Sequence, residues 1–339
     1  MASHKKIVEE VSGWLRVFDD GTVDRTWTGP PEAEFLMKPV PPHEEFIEGV
    51  ATRDVTINPN TGLAVRIYIP EKNTDGQINN KNKLPLVLHF HGGGFSISQA
   101  NWYMYYHFYA RLVRTTCAVC VSVYLPLAPE HKLPAACDEA YAAFLWLSAV
   151  ARGDSSESWL ETCSDFGRVF LIGDSMGGNL VHHIAARAGS IDIQPMQLLG
   201  GIALHPDFQR AEPSKSFLEM PETPLLTRDM VNKFMSLALP IGSTKDHPIT
   251  CPMGPLAPLL ATLKLPPMLV VVAENDLLRD SELEYCEAMK EAKKDVEVLI
   301  NHGMGHSFYF DKLAIDMDPK TATQVDKLFE EITNFINKH

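Results

Sequence analysis

The chain has 339 residues, of which 45% are hydrophobic and 22% charged, so it carries enough apolar side chains to bury a sizeable core. Its 43 acidic residues outnumber its 30 basic ones, and the net charge of −13 argues against nucleic acid and membrane surfaces as partners, because both attract basic proteins. It shows neither a secretory leader nor a run of about 18 apolar residues. We therefore expect a cytoplasmic protein, monomeric or weakly homodimeric.

Short apolar runs rich in β-branched residues recur along the chain, and helical patterns separate the later ones. Strands are predicted at 53–58 (the weakest), 63–69, 85–91, 117–125, 168–173, 198–205, 267–273 and 296–302. Helices are predicted at about 101–115, 136–150, 178–189, 279–293 and 321–338. Strands that read as continuous apolar runs and alternate with helices are typical of a mostly parallel sheet covered on both faces. The predicted class is therefore α/β, in a single domain over 1–339.

Two segments fall outside this alternation. Residues 1–48 contain a predicted hairpin turn at Asp20-Gly21 and a proline-rich stretch, and residues 207–250 contain an extra helical pattern. Insertions beside an α/β sheet often serve as lids, so both segments are predicted to form a cap over the site. The polar stretch 73–83 is predicted to be a loop between strands.

The cysteines and the paired histidines favour a structural interpretation. The six cysteines are too scattered for a disulfide framework. Cys117 and Cys120 lie three apart on a predicted strand, and such residues face opposite sides. His182 and His183 are adjacent on a predicted helix without a third ligand at a zinc spacing. We therefore expect no metal site.

The segment Gly173-Asp174-Ser175-Met176-Gly177 follows a predicted strand and precedes a predicted helix. This is the context of a nucleophile elbow, in which small residues allow a tight turn and the serine hydroxyl projects from the sheet edge. The alternative is a glycine-rich turn with an idle serine. The context favours Ser175 as a nucleophile.

A second motif, His91-Gly92-Gly93-Gly94-Phe95, ends another predicted strand. Acyl transfer builds negative charge on the carbonyl oxygen, so N–H donors are needed beside the nucleophile. The predicted donors are the amides of Gly93, Gly94 and Met176, the last at the positive end of a helix. Alone, the motif would also suit a flexible loop or an anion-binding nest, but its pairing with the elbow favours an oxyanion hole.

The remaining catalytic groups should follow the serine in the order acid, then histidine. Asp276 lies in the loop after strand 267–273 and is favoured over Glu274 and over Asp280, which falls at the start of the next helix. His306 lies between small residues after the last strand and is favoured as the base. His302, at the strand end, is expected to be structural.

The sequences HGGGF, GDSMGGN and LAPEHKLPAA (127–136) resemble those of the plant branch of the hormone-sensitive-lipase-like (GDXG) carboxylesterases. The resemblance implies an α/β-hydrolase fold with an eight-stranded sheet, a helical cap and no cofactor. It also implies Ser175, Asp276 and His306 as the triad, with Gly93, Gly94 and Met176 forming the oxyanion hole.

Two departures from this family bear on the substrate. The family's usual Asp-Tyr-Arg before Leu-Ala-Pro-Glu is replaced by Tyr124-Leu125-Pro126, so any ion pair made by that arginine is missing. The residue after the nucleophile is usually small, whereas the longer Met176 side chain is expected to intrude on the pocket and shape it.

Three functions follow from these observations. The favoured one is hydrolysis of a carboxylic ester of a small apolar plant metabolite, through an acyl-enzyme on Ser175. The second is a role in monoterpene indole alkaloid assembly, where a methyl ester is hydrolysed and the acid decarboxylates, as the resemblance to norfluorocurarine synthases suggests. The third is a catalytically silent hormone receptor of the gibberellin-receptor type, against which the retained His306 counts.

Overall fold

A small antiparallel sheet opens the fold. The computed structural model describes residues 5–71 and 83–339, so the predicted loop 73–83 lies, but for its last residue, outside the described part. The small sheet consists of β1 (Ile7–Val11), β2 (Leu15–Phe18) and β3 (Val23–Asp24). Gly21 has a φ of +81° and its N–H donates to the carbonyl of Phe18 at 2.9 Å, which confirms the hairpin turn predicted there.

An eight-stranded sheet forms the centre of the molecule. Its strands are β4 (Val50–Asn58), β5 (Leu63–Pro70), β6 (Leu84–Phe90), β7 (Val119–Val123), β8 (Ser164–Asp174), β9 (Leu198–Leu204), β10 (Met268–Ala273) and β11 (Val296–Asn301). Their order across the sheet is β11-β10-β9-β8-β6-β7-β5-β4. The pairs β4–β5 and β5–β7 are antiparallel and the other five are parallel. The predicted mostly parallel sheet is confirmed, and each predicted strand overlaps an observed one.

Helices pack on both faces of this sheet and within the segment 207–250 beside it. They are α1 (Tyr103–Thr116), α2 (Ala135–Arg152), α3 (Ser158–Cys163), α4 (Met176–Ala188), α5 (Lys215–Glu219), α6 (Arg228–Ala238), α7 (Arg279–Glu291), α8 (Lys312–Met317) and α9 (Pro319–Lys338). Successive side chains of a strand point to opposite faces. Thus Leu86 and Leu88 of β6 pack in one buried cluster with α2, α4 and α7, whereas Val87 packs in another with α1 and α9.

The differences from prediction lie at element ends and in the short helices. The strand predicted from 117 begins two residues later, because Cys117 is the left-handed C-cap of α1, with a φ of +48°. Cys117 is exposed there, while Cys120 is buried in β7. The helix predicted from 178 begins directly after the elbow serine. Within 5–71 and 83–339, no helix is both long and apolar enough to cross a membrane.

Candidate active site

Ser175 lies at the turn between β8 and α4, where its backbone has a φ of +51° and a ψ of −122°. A non-glycine residue adopts this strained conformation only when its surroundings impose it. The flanking glycines allow the close packing that holds this turn, because a Cβ on Gly177 would overlap the carbonyl of Phe90 and one on Gly173 would overlap that of Gly177. The turn thus holds Ser175 at the carboxyl edge of the sheet, facing a pocket.

The glycine loop follows β6 and lies beside this turn. Gly93 and Gly94 have φ values of +91° and +59°, a region that glycine enters without strain. The N–H groups of Ser96 and Ile97 both donate to the carbonyl of Gly93 at 3.0 Å, which closes the loop. Gly93, Gly94 and Ser175 line the same pocket. Met176 begins α4, and the first amides of a helix have no intrahelical acceptor.

Asp174 ties the glycine loop to the elbow, a role that its position in the motif did not reveal. Its Oδ2 accepts hydrogen bonds from the N–H of Gly92 at 3.1 Å and from the hydroxyl of Tyr105 at 3.3 Å. Its Oδ1 lies 3.3 Å from Nε2 of His89. Burial lowers the pKa of His89 despite this carboxylate, so the ring is neutral at pH 7. The two motifs therefore act as one rigid unit.

Asp276 and His306 form a buried hydrogen-bonded pair. Nδ1 of His306 lies 2.6 Å from Oδ2 of Asp276, whose side chain is inaccessible to solvent. The other carboxylate oxygen accepts the N–H of Leu278 at 3.0 Å. Burial alone would lower the pKa of His306, but the attraction and hydrogen bond of Asp276 outweigh it, so that pKa is raised above 6.5. For Asp276, burial opposes the charge, yet the attraction of His306 outweighs it and lowers the pKa of the carboxyl.

The alternative candidates for the acid and the base lie outside the pocket. Glu274 accepts the N–H of Gly303 at 2.6 Å and lies 3.6 Å from Nδ1 of His302, on the surface. The side chain of His302 is 67% exposed. Asp280, in the first turn of α7, pairs with Arg279 at 2.9 Å. None of the three rejected residues lines the pocket.

His205, just after β9, is a neighbour of this pair that the sequence did not single out. Its ring centroid is 5.8 Å from that of His306, and its Nδ1 accepts the N–H of Ser307 at 2.9 Å. Burial lowers the pKa of His205 to about 3, so the ring is neutral. Its ligand atoms lie close to those of Asp276 and His306, but both Nδ1 atoms are already engaged. We assign His205 the role of supporting the loop that carries His306.

The pocket above Ser175 has a volume of about 850 Å³, which includes space open to solvent. His306 also lines it. Its walls are mostly apolar and come from both segments predicted to form a cap, with Trp14 and Met37 from one and Val231 and Phe234 from the other. A concave site with mostly apolar walls suits a small apolar molecule.

The expectation for the side chain of Met176 is wrong. The side chain is fully buried in the core cluster beneath the sheet edge and does not line the pocket. The helix begins at this residue, and its first side chain turns toward the core while its amide stays at the helix terminus. The backbone amide of Met176 therefore lies at the start of α4, as an oxyanion-hole donor requires, while its side chain does not reach the pocket.

The altered block at 124–130 has its own ion pair. Glu130 is bound by both terminal nitrogens of Arg25, at 2.8 and 2.6 Å. Arg25 also donates to the carbonyls of Ser96 and Ala128, at 2.7 and 2.8 Å. An arginine from the N-terminal segment thus joins this block to the end of the glycine loop.

Comparison with known proteins places the chain in a group of hydrolases. Residues 87–310 match a family model described as the alpha/beta hydrolase fold. The chain is 36% identical over 309 residues to probable carboxylesterase 6 of Arabidopsis thaliana, covering 90% of this chain and 85% of that protein. It is 35% identical over 303 residues to a gibberellin receptor of the same plant, covering 86% and 82%. An esterase from Pyrobaculum calidifontis superposes with a TM-score of 0.67 at 28% identity, covering 85% and 84%.

Proposed function

The chain belongs to the α/β-hydrolase fold family and is a carboxylic ester hydrolase, and from that premise we propose that it cleaves esters of small apolar plant metabolites through an acyl-enzyme on Ser175. The observation that carries this proposal is that the predicted catalytic groups converge on one site. Ser175, the glycine loop, Asp276 and His306 arrive from four separate strand ends; the first two and His306 line one apolar pocket, and Asp276 binds His306 from outside it.

The proposed reaction has two halves. Nε2 of His306 removes the proton from Ser175 as Oγ attacks the ester carbonyl, and Asp276 holds the ring by Nδ1 and stabilises the imidazolium. The amides of Gly93, Gly94 and Met176 donate to the oxyanion. Collapse of this intermediate expels the alcohol, which takes the proton from His306. Water, activated by the same ring, then cleaves the acyl-enzyme and releases the acid.

The pocket supports a small substrate, and the resemblance of the chain to plant enzymes suggests a finer placement. We place it near a hypersensitive-response-associated esterase of tobacco. A more specific candidate is the alkaloid role, in which the enzyme would hydrolyse a methyl ester and the free β-formyl or β-imino acid would then lose CO2. Ester cleavage is the step that an acyl-enzyme and an oxyanion hole support.

The receptor alternative has support in the similarity to a gibberellin receptor, but the site argues against it. A protein that only binds its ligand has no need of a strained serine or of a buried carboxylate–histidine pair. Here Ser175 keeps a φ of +51°, and His306 keeps its 2.6 Å contact with Asp276.

A fluorophosphonate probe and a series of p-nitrophenyl esters test the proposal. We expect one label per chain, located on Ser175 by peptide mass spectrometry, with ester turnover that Ser175→Ala abolishes. His306→Ala should lose nearly as much, because members of a triad act as a unit. The matched control is Ser307→Ala, which removes a neighbouring hydroxyl and should keep turnover. Labelling without turnover would point to a narrower substrate, whereas a folded protein that takes no label would favour the receptor.

A further inference from the structure

Asp207, an acidic residue outside the predicted triad, lines the pocket together with Ser175 and His306. Its backbone is fixed from two sides, since its N–H donates to the carbonyl of Ser175 at 3.1 Å and its carbonyl accepts the side-chain amide of Asn179 at 2.9 Å. Only 5% of the residue is exposed. The carboxyl group is therefore held at the pocket wall and has little contact with water.

This carboxyl group has no cationic partner among residues 5–71 and 83–339. It accepts one hydrogen bond, at Oδ1, from the side-chain amide of Gln209. The charges of His306 and Lys245 act on it from a distance, but neither makes an ion pair with it, since Nδ1 of His306 is bound to Asp276 and the ammonium of Lys245 donates to Asn232 at 2.6 Å. Burial raises the pKa of Asp207 to about 6, which leaves the group mostly ionised at neutral pH.

Burying an ionised carboxylate in an apolar pocket costs free energy unless a positive charge or enough hydrogen-bond donors bind it. The other two described pocket carboxylates are better satisfied. Asp174 accepts hydrogen bonds from the N–H of Gly92 and the hydroxyl of Tyr105, whereas Asp311, the N-cap of α8, is only partly buried and accepts the N–H of Ala314 at 3.0 Å. Asp207 is buried and has the amide of Gln209 as its one donor, so among the described residues it is the pocket carboxylate best suited to bind a positive group on the substrate.

We propose that the ester substrate carries a protonated amine, and that Asp207 binds it. The inference rests on the proposed esterase function and names the chemical class of its substrate. An ammonium N–H would donate to the free carboxylate oxygen in a charge-assisted hydrogen bond, while the aliphatic part of the amine would lie against the apolar walls.

A pair of isosteric esters tests this. In 2-(dimethylamino)ethyl acetate a protonated nitrogen occupies the position that a CH group holds in 3-methylbutyl acetate, and acetate release from both is followed at constant pH. At pH 7.5 we expect kcat/KM to favour the amine ester by roughly 10- to 100-fold, the range of a charged hydrogen bond. In Asp207→Asn this preference should fall to less than about threefold.

Asp311→Asn is the matched control, because asparagine also caps helices and the change removes another pocket carboxylate. It should keep the preference. Loss of the preference in Asp311→Asn, or its survival in Asp207→Asn, would overturn the assignment to Asp207.

The wild-type enzyme offers a test without substitution. The preference should fall as the pH drops from 7.5 to 5, because Asp207 becomes protonated while the amine stays charged. The charges of His306, Lys245 and Asp276 also shift the pKa of Asp207, and Asp207 in turn shifts the pKa of Glu282. The protonation state of His306 changes the rates of both esters alike, so its effect cancels in the ratio of their kcat/KM values. A preference that is independent of pH would contradict the inference.

Hydrolysis of p-nitrophenyl acetate distinguishes a failure of the proposed substrate class from a failure of the proposed esterase function. If that ester is cleaved but the amine ester is not preferred, the substrate class is wrong and the esterase stands. If no ester is cleaved, the proposed function fails and the inference fails with it.

Discussion

Gly92→Ala should disable the enzyme although it replaces no predicted catalytic residue. A Cβ at this position would lie 2.5 Å from Oδ2 of Asp174, 2.7 Å from its backbone carbonyl oxygen and 3.0 Å from Cβ of Ser175. Rotating the Asp174 side chain relieves only the first contact. The backbone contact must open by about 0.7 Å to reach the 3.4 Å of an ordinary one, so the loop or the elbow has to move.

The size of the effect follows from that displacement. A misplacement of about 1 Å costs roughly 10²-fold in rate, and loss of one oxyanion donor costs about 10²–10³-fold. We therefore expect kcat/KM for p-nitrophenyl acetate to fall by about 10²–10³-fold, equivalent to roughly 2.7–4 kcal/mol of transition-state stabilisation. Overpacking should also lower the free energy of unfolding by about 1–3 kcal/mol.

The assay pairs ester kinetics with thermal unfolding, so that a folded but slow enzyme is distinguished from an unfolded one. Gly167→Ala is the matched control, because its new Cβ would meet only the Asp165 carboxylate, at 3.1 Å, far from the pocket. It should stay within about twofold of wild type. A folded Gly92→Ala enzyme with kcat/KM within threefold of wild type would refute the account of how the loop is held.

Three further predictions concern the acid, the base and the N-terminal tether. Asp276→Asn should lower kcat by orders of magnitude, and a larger loss from Asp280→Asn would show that the acid is misassigned. Because the pKa of His306 is raised and its neutral form is the base, kcat/KM should fall as the pH drops through a value above 6.5, and a limb below 6 would contradict this. Arg25→Met removes both hydrogen bonds to Glu130 and should lower the free energy of unfolding by about 1–3 kcal/mol, measured by chemical denaturation. An unchanged denaturation midpoint would show that this ion pair does not stabilise the fold.

The sheet could be read from the sequence because its strands are buried on both faces. The runs 85–88 and 169–172 are continuously apolar, and a strand with helices on both sides has no alternating polar face to confuse the pattern. Element ends were harder to predict. The apolar run 117–125 predicts a strand from Cys117, because no local pattern marks this residue as the cap of α1.

The candidate site was predictable where chemistry demands small residues in a fixed order, as around Ser175. It was not predictable where a side chain acts through partners distant in the sequence. The contact of His205 with the loop of His306 spans about 100 residues. The position of Asp207 in the pocket wall depends on the fold of the insertion 207–250, which begins at this residue, and the burial of the Met176 side chain depends on the core beneath α4. These are properties of packing, and no local pattern signals them.

The pocket walls and the reacting groups have separate origins in the chain. Much of the apolar wall comes from the N-terminal segment, with Trp14, and from the insertion, with Phe234, whereas the reacting groups stand on strand ends of the sheet. A library that randomises only the wall positions would explore new substrates while the chemistry stays constant. Evolution has the same freedom. Gene duplicates of such an enzyme can diverge in what they hydrolyse long before they diverge in how they do it.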